Sequence, residues 1–230
     1  MNKLKDGLAR LRRDLAPMTF SEKIDHIARY YWPYALVVLL AAALLAGAVT
    51  GAVNASREVL LSGVVTNVAV RAEGFSYLSD GYFEHLNGKP GRQKVDVAYI
   101  SFDALAQTQD VEANYSKALS VLAMISGGTL DYLILDRSAL EFYITQDAFL
   151  DLRDFLTPEE LAAYADALVW AQPEGEEAYP AAVDISGLPF VRENIDAADG
   201  VFFALSGRTA RLGTCRDFWQ YLADWDSAIK

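Results

Sequence analysis

From Tyr30 to Ser56 the chain carries no charged side chain. That one run constrains the fold more than any other feature. Its centre, ALVVLLAAALLAGAVTGAV from Ala35 to Val53, is long enough at about 1.5 Å per helical residue to traverse a hydrocarbon layer of about 30 Å. A single transmembrane helix is therefore expected over 35–53. It divides the chain into a basic N-terminal piece (1–34), the span, and an α/β domain (54–230).

The flanks give the orientation. Of the 20 basic side chains, Lys3, Lys5, Arg10, Arg12, Arg13, Lys23 and Arg29 precede the run, whereas of the 31 acidic ones only Asp6, Asp14, Glu22 and Asp25 do. Basic flanks stay in the cytoplasm, and Tyr30, Tyr31, Trp32 and Tyr34 stand where aromatic rings favour the headgroup layer. The expectation is a single-pass protein of a cell membrane, N-terminus inside and C-terminal domain outside. A cleaved signal ending near Val53-Asn54-Ala55 is the alternative, and the long charged region ahead of the run argues for an anchor. Ahead of the span, Leu4, Leu8, Leu11 and Leu15 recur at helical spacing. Thr19-Phe20-Ser21-Glu22 has the form of a capping box before a second amphipathic helix. Such helices lie on the inner leaflet, dock on a membrane-protein partner, or only set orientation.

Beyond the run acidic residues outnumber basic ones about two to one, which argues against nucleic acid, since that partner needs a basic face. Cys215 is the sole cysteine, so no intramolecular disulfide and no multi-cysteine zinc site is available.

The outer segment alternates in type. Val64–Val70 reads as a strand, Phe75–Leu86 as a helix, Val95–Phe102 as a strand, Asn114–Ser126 as a helix and Tyr132–Leu135 as a strand. That order predicts a three-layer α/β domain on a mainly parallel sheet. Short helices follow at Ser138–Ile144, Ala148–Phe155 and Pro158–Leu168, the last capped by Thr157. Ala181–Ile185 and Val201–Leu205 read as further strands, and a final helix near Thr214 places Cys215, Phe218, Trp219 and Leu222 on one face.

Catalytic chemistry is sparse. His85 is the only imidazole beyond the run and sits in an ordinary helical stretch. There is no G-x-S-x-G turn and no phosphate-binding glycine loop; Gly127-Gly128 reads as a helix terminator. No catalytic residue, cofactor or metal site is expected, and the chain reads as a non-enzyme. Open parallel sheets bind ligands at the carboxyl ends of their strands. This nominates Asp103, Asp136, Arg137, Asp184 and Ser186 as ligand-binding residues, with Glu73 and Ser206 in the wider set. The same residue types also serve as turn formers and helix caps. Asp131 and Asp136 bracket one strand and fall at opposite sheet edges, about 16 Å apart at roughly 3.3 Å per residue. Asp136 is expected beside Asp103, with Arg137 as its compensating cation.

Two stretches carry a resemblance. YSKALSVLAMISGGTLDYLILDRSALEFYITQDAFLDLRDFL (Tyr115–Leu156) resembles a recurrent passage of bacterial extracellular solute-binding proteins, with Ala148 in place of the usual glycine. GVFFALSGRTARLGTCRDFWQYLADW (Gly200–Trp225) resembles the strand and helix with which that family returns to its first lobe. Family members have two lobes and a hinge, and the residues after the run suffice for only one. The resemblance implies a truncated, single-lobe relative on a transmembrane anchor, a shape also similar to membrane proteins of Firmicutes. It implies a binding module for a small-molecule ligand. The alternative is an interaction or assembly subunit of a membrane-protein complex, marked by an exposed apolar patch instead of a pocket.

Overall fold

The computed structural model describes residues 36–45, 47, 56–102, 111–173, 175 and 177–225. The chain divides into two units, Met1–Ser56 and Arg57–Lys230. In the first, residues 36–45 are helical and each is exposed, Leu39 at 71% and Leu44 at 75%. Among the described residues no helix is long and apolar enough to cross a membrane. The rest of the expected span, 35, 46 and 48–53, and the basic helices of 1–34 lie outside the described residues.

The second unit holds strands β1 (Glu58–Thr66), β2 (Ala69–Val70), β3 (Gln93–Ile100), β4 (Tyr132–Leu135), β5 (Leu168–Ala171), β6 (Tyr179–Asp184), β7 (Ile195–Asp196) and β8 (Phe202–Leu205). Six of them form one sheet in the order β3-β1-β4-β8-β6-β5, while β2 and β7 make a small antiparallel ribbon. Central β1 pairs in parallel with both β3 and β4, as the alternating pattern requires. Beyond β4 the pairing turns antiparallel, because late-arriving β8 runs down between β4 and β6, and β5 returns beside β6. Four of the six strands still point the same way.

Helices cover both faces. All four residues of β4 are fully buried. Tyr132 and Ile134 enter one core cluster and Leu133 and Leu135 the other, the period-two alternation of a strand covered twice. On the first face lies a helix in three parts: α1 (Ala72–Ser76), a π-turn (Tyr77–Gly81) and α2 (Tyr82–His85). Phe190 and Val191 of α6 (Pro189–Asn194) join that cluster, as do Cys215, Phe218, Trp219 and Leu222 of α7 (Leu212–Ala223). On the second face α3 (Val111–Ser126) contributes Ala118, Val121 and Ile125, and α4 (Arg137–Ile144) contributes Ala139, Leu140 and Tyr143.

Three local expectations need correction. The strand expected at 64–70 begins at Glu58 and breaks at Asn67, whose φ of 62° ends the extended run before β2. No helix forms over 148–155. There Phe149 bridges to Ser206 and Leu150 N–H donates to the Leu205 carbonyl, so these backbone groups serve the end of β8, leaving a single 3-10 turn at Leu152–Asp154. The helix from Pro158, labelled α5 (Pro158–Ala163), has the Thr157–Glu160 capping box but stops at Ala163. A 3-10 turn and β5 follow, because Leu168 to Ala171 find a partner strand in β6.

Candidate functional site: the carboxyl edge of the sheet

β1, β3 and β4 end level with one another, Thr66 pairing with Ile100 on one side and Leu135 on the other. The next residue, Asn67, adopts the left-handed conformation that asparagine tolerates better than most side chains. Its amide bridges the sheet edge. Oδ1 accepts from Phe102 N–H at 2.9 Å, and Nδ2 donates to Asp136 Oδ1 at 3.2 Å. One side chain thus ties the ends of three adjacent strands. Asp136 Oδ1 also accepts from Ala139 N–H at 2.9 Å, which makes Asp136 the N-cap of α4.

Beside this latch lies a cleft of about 520 Å³ lined by Asn67, Ser101, Phe102, Asn114, Lys117, Asp136 and Ser138. α3 supplies Asn114 and Lys117, β1 leads into Asn67, β3 into Ser101 and Phe102, and the first turn of α4 supplies Ser138. The lining offers two amides, two hydroxyls, one ammonium and one carboxylate around a single aromatic wall. Such a set suits hydrogen bonding to a small polar molecule. No group of three or more His, Cys, Asp or Glu poised for a metal exists among the described residues.

The nominated residues divide. Asp103 lies outside the described residues. Asp136, Arg137, Asp184 and Ser186 all fall on the carboxyl edge, because Leu135 and Asp184 pair with Phe202 from opposite sides. Only Asp136 borders the cleft. Arg137 does not pair with Asp136: its guanidinium stacks over the Phe202 ring at 4.8 Å, and Asn67 takes the expected place beside the carboxylate. Asp184 Oδ1 accepts from Ser186 N–H at 2.9 Å, and Ser186 Oγ accepts from Val201 N–H at 2.9 Å, so these two shape the turn into α6. Ser206 is at the opposite edge. β8 runs antiparallel, so its C-terminal end is buried beside Asp131, whose carbonyl accepts from Ser206 N–H. Glu73 is exposed in the first turn of α1. His85 Nε2 sits 3.2 Å from Asp217 Oδ1, which also accepts from the Tyr82 hydroxyl at 2.9 Å.

The amino edge is built differently. Asp131 is fully buried. Its Oδ2 accepts from Ser62 N–H at 2.7 Å and from Arg211 Nε at 2.8 Å, and its Oδ1 from the Thr209 hydroxyl at 2.6 Å. One carboxylate therefore staples β1, the start of β4 and the turn into α7. Next to it the Tyr132 ring lies over Gly63, where any Cβ would collide with the ring. The Cys215 thiol is pushed up to about 12, first by burial and then by the Asp131 carboxylate.

Asn67, Asn114, Lys117 and Ser138 were not nominated from sequence. For Asn67 a signal exists, an asparagine directly after an apolar strand. The other three meet only once α3 is docked on the sheet. Comparison with protein families, with curated proteins and with solved structures finds no match to this chain.

Proposed function

We propose that the chain is a membrane-tethered, non-catalytic binding module of bacterial origin, its α/β unit held outside the cell as a single lobe of the solute-binding kind. The observation that carries this reading is the carboxyl-edge cleft, where Asn67, Lys117, Asp136 and Ser138 converge on a space of about 520 Å³. Two further features support it. β8, late in the chain, lies beside β4 in the middle of the sheet, as a segment returning to a first lobe would. The exposed helix 36–45, with Leu39 and Leu44 more than two-thirds uncovered, has a face suited to hydrocarbon and not to water.

The ligand of this reading is a small polar solute, and the test is a thermal-shift screen of the full chain against neutral and zwitterionic solutes. A hit should lose its effect in Lys117→Ala, since Lys117 is exposed and outside the core. Absence of any stabilising solute, or hits indifferent to Lys117→Ala, would sink it. The tether is tested separately. A cysteine placed at Lys89 should react with an impermeant maleimide in intact cells and one at Lys5 should not, with native Cys215 silent because it is buried.

A second reading, an assembly subunit, is favoured by one observation. Val111, Tyr115 and Leu119 of α3 recur every four residues and are exposed at 49%, 57% and 42%. Under that reading Tyr115→Lys abolishes co-purification of a membrane-protein partner while leaving solute stabilisation unchanged.

A further inference from the structure

A second space lies on the other face of the sheet, between the α1–π-turn–α2 helix and edge strand β3. Its volume is about 770 Å³. By strand alternation Tyr99 shares a face with Val95 and Val97, which pack toward this helix, yet Tyr99 itself is 53% exposed. Opposite it stand Phe75 of α1 and Val70 of β2. The π-turn adds one residue to a helical turn and so shifts the side chains that follow it relative to a regular helix, a device common at functional sites. Here the turn contributes Ser79 and Asp80 to the groove, with Ser76 just ahead of it.

The chemistry of this lining is one-sided. Two aromatic rings and the side chains of Ala69, Val70 and Ala72 line it together with the Ser76 and Ser79 hydroxyls, and Asp80 is the only charged residue in the lining. No basic side chain lines the groove, and among the described residues Asp80 forms no ion pair. The Ser79 hydroxyl donates to the Phe75 carbonyl at 3.0 Å, which keeps it on the groove-bearing side of the helix. An anion would be repelled by the Asp80 carboxylate, which accepts from the Ser76 hydroxyl at 3.5 Å and has no cation beside it in the groove. A metal ion would find one carboxylate where several oxygen ligands are needed. A wholly apolar guest would gain nothing from Asp80, which is exposed. The remaining class is an organic cation with a hydrocarbon body, attracted by the aromatic side chains and the carboxylate together. The chain's net charge of −11 raises the local concentration of such cations.

We infer that the groove between the π-turn helix and β3 is a binding site for a small alkyl- or aryl-ammonium cation, held by Tyr99, Phe75 and Asp80. It is distinct from the carboxyl-edge cleft and stands or falls without it.

The probe pair is choline and neohexyl alcohol, its uncharged carbon isostere, titrated calorimetrically into the full chain in nonionic detergent. Choline should bind saturably and the alcohol at least about tenfold more weakly. Asp80→Asn and Tyr99→Ala should each weaken choline by about three- to tenfold. Both positions are exposed, so the melting temperature should not move. Lys117→Ala should leave choline binding intact. Equal affinity for the two probes, absence of saturable choline binding, or indifference to both groove substitutions would overturn the assignment. Loss of choline binding in Lys117→Ala would place the cation in the carboxyl-edge cleft and overturn it equally.

Discussion

Strand β4 is bracketed by two aspartates five positions apart, and their fates diverge. Asp131 has lost all contact with solvent and fills both carboxylate oxygens with Ser62, Thr209 and Arg211. Asp136 is half-buried and spends one oxygen on the Ala139 N–H and the Asn67 amide. The amino edge is closed by a charge that the interior has fully paired. The carboxyl edge is finished by a cap that leaves a cleft open beside it. Residue type is the same at both ends, so topology makes the difference. β8 descends toward Asp131 and delivers Thr209 and Arg211 to it, whereas the strands ending near Asp136 deliver short polar turns.

The sharpest way to break this contrast is to remove Asp131. Asp131→Ala strands the Arg211 guanidinium, the Thr209 hydroxyl and a buried Ser62 N–H together, and should lower stability by about 3–5 kcal/mol. Urea denaturation of the full chain, followed by tryptophan fluorescence, reads it. A loss no larger than that of Asp136→Ala would mean the two edges are energetically alike. Next comes Gly63→Ala, which drives a methyl into the Tyr132 ring. That ring is held between Phe203 and Phe218 at centroid distances of 5.9 and 4.4 Å, and the strain should cost about 1–3 kcal/mol. Asp136→Ala removes a helix cap and should cost about 1 kcal/mol in the same measurement. If Asp136 also touches the solute, that variant loses the thermal shift as well, beyond what the stability change explains. Lys117→Ala is the smallest perturbation, within about 0.5 kcal/mol, because the side chain is exposed and unpaired with acid among the described residues.

The parallel half of the sheet was legible because its information is local. The unbroken YLIL of β4, the alternating apolar residues of β3 and the glycine pair closing α3 each declare themselves within a few residues. β5 was hidden, since Leu168 continues the apolar pattern of the helix before it and only β6, arriving later, decides the matter. At the carboxyl edge Asp136 could be nominated by rule, and its cap on α4 was foreseeable from an aspartate ahead of a helical pattern. Asn67 and Lys117 could not be joined to it without the packing of α3 against the sheet. The pairing of Asp131 with Arg211, 80 positions apart, leaves no trace in either neighbourhood.

The burial of Cys215 carries a redox consequence. An exposed lone thiol in an oxidising compartment invites a disulfide between two copies, or stepwise oxidation to sulfenic and sulfinic acid. Here the sulfur lies under α7 with the Thr209 hydroxyl 3.9 Å away and the Asp131 carboxylate disfavouring its anion. Only the thiolate attacks, and with a pKa of about 12 almost none exists at neutral pH. Burial first, and the aspartate that fastens the strands second, keep the sulfur chemically inert. Folded copies stay unlinked whether the surroundings are reducing or oxidising.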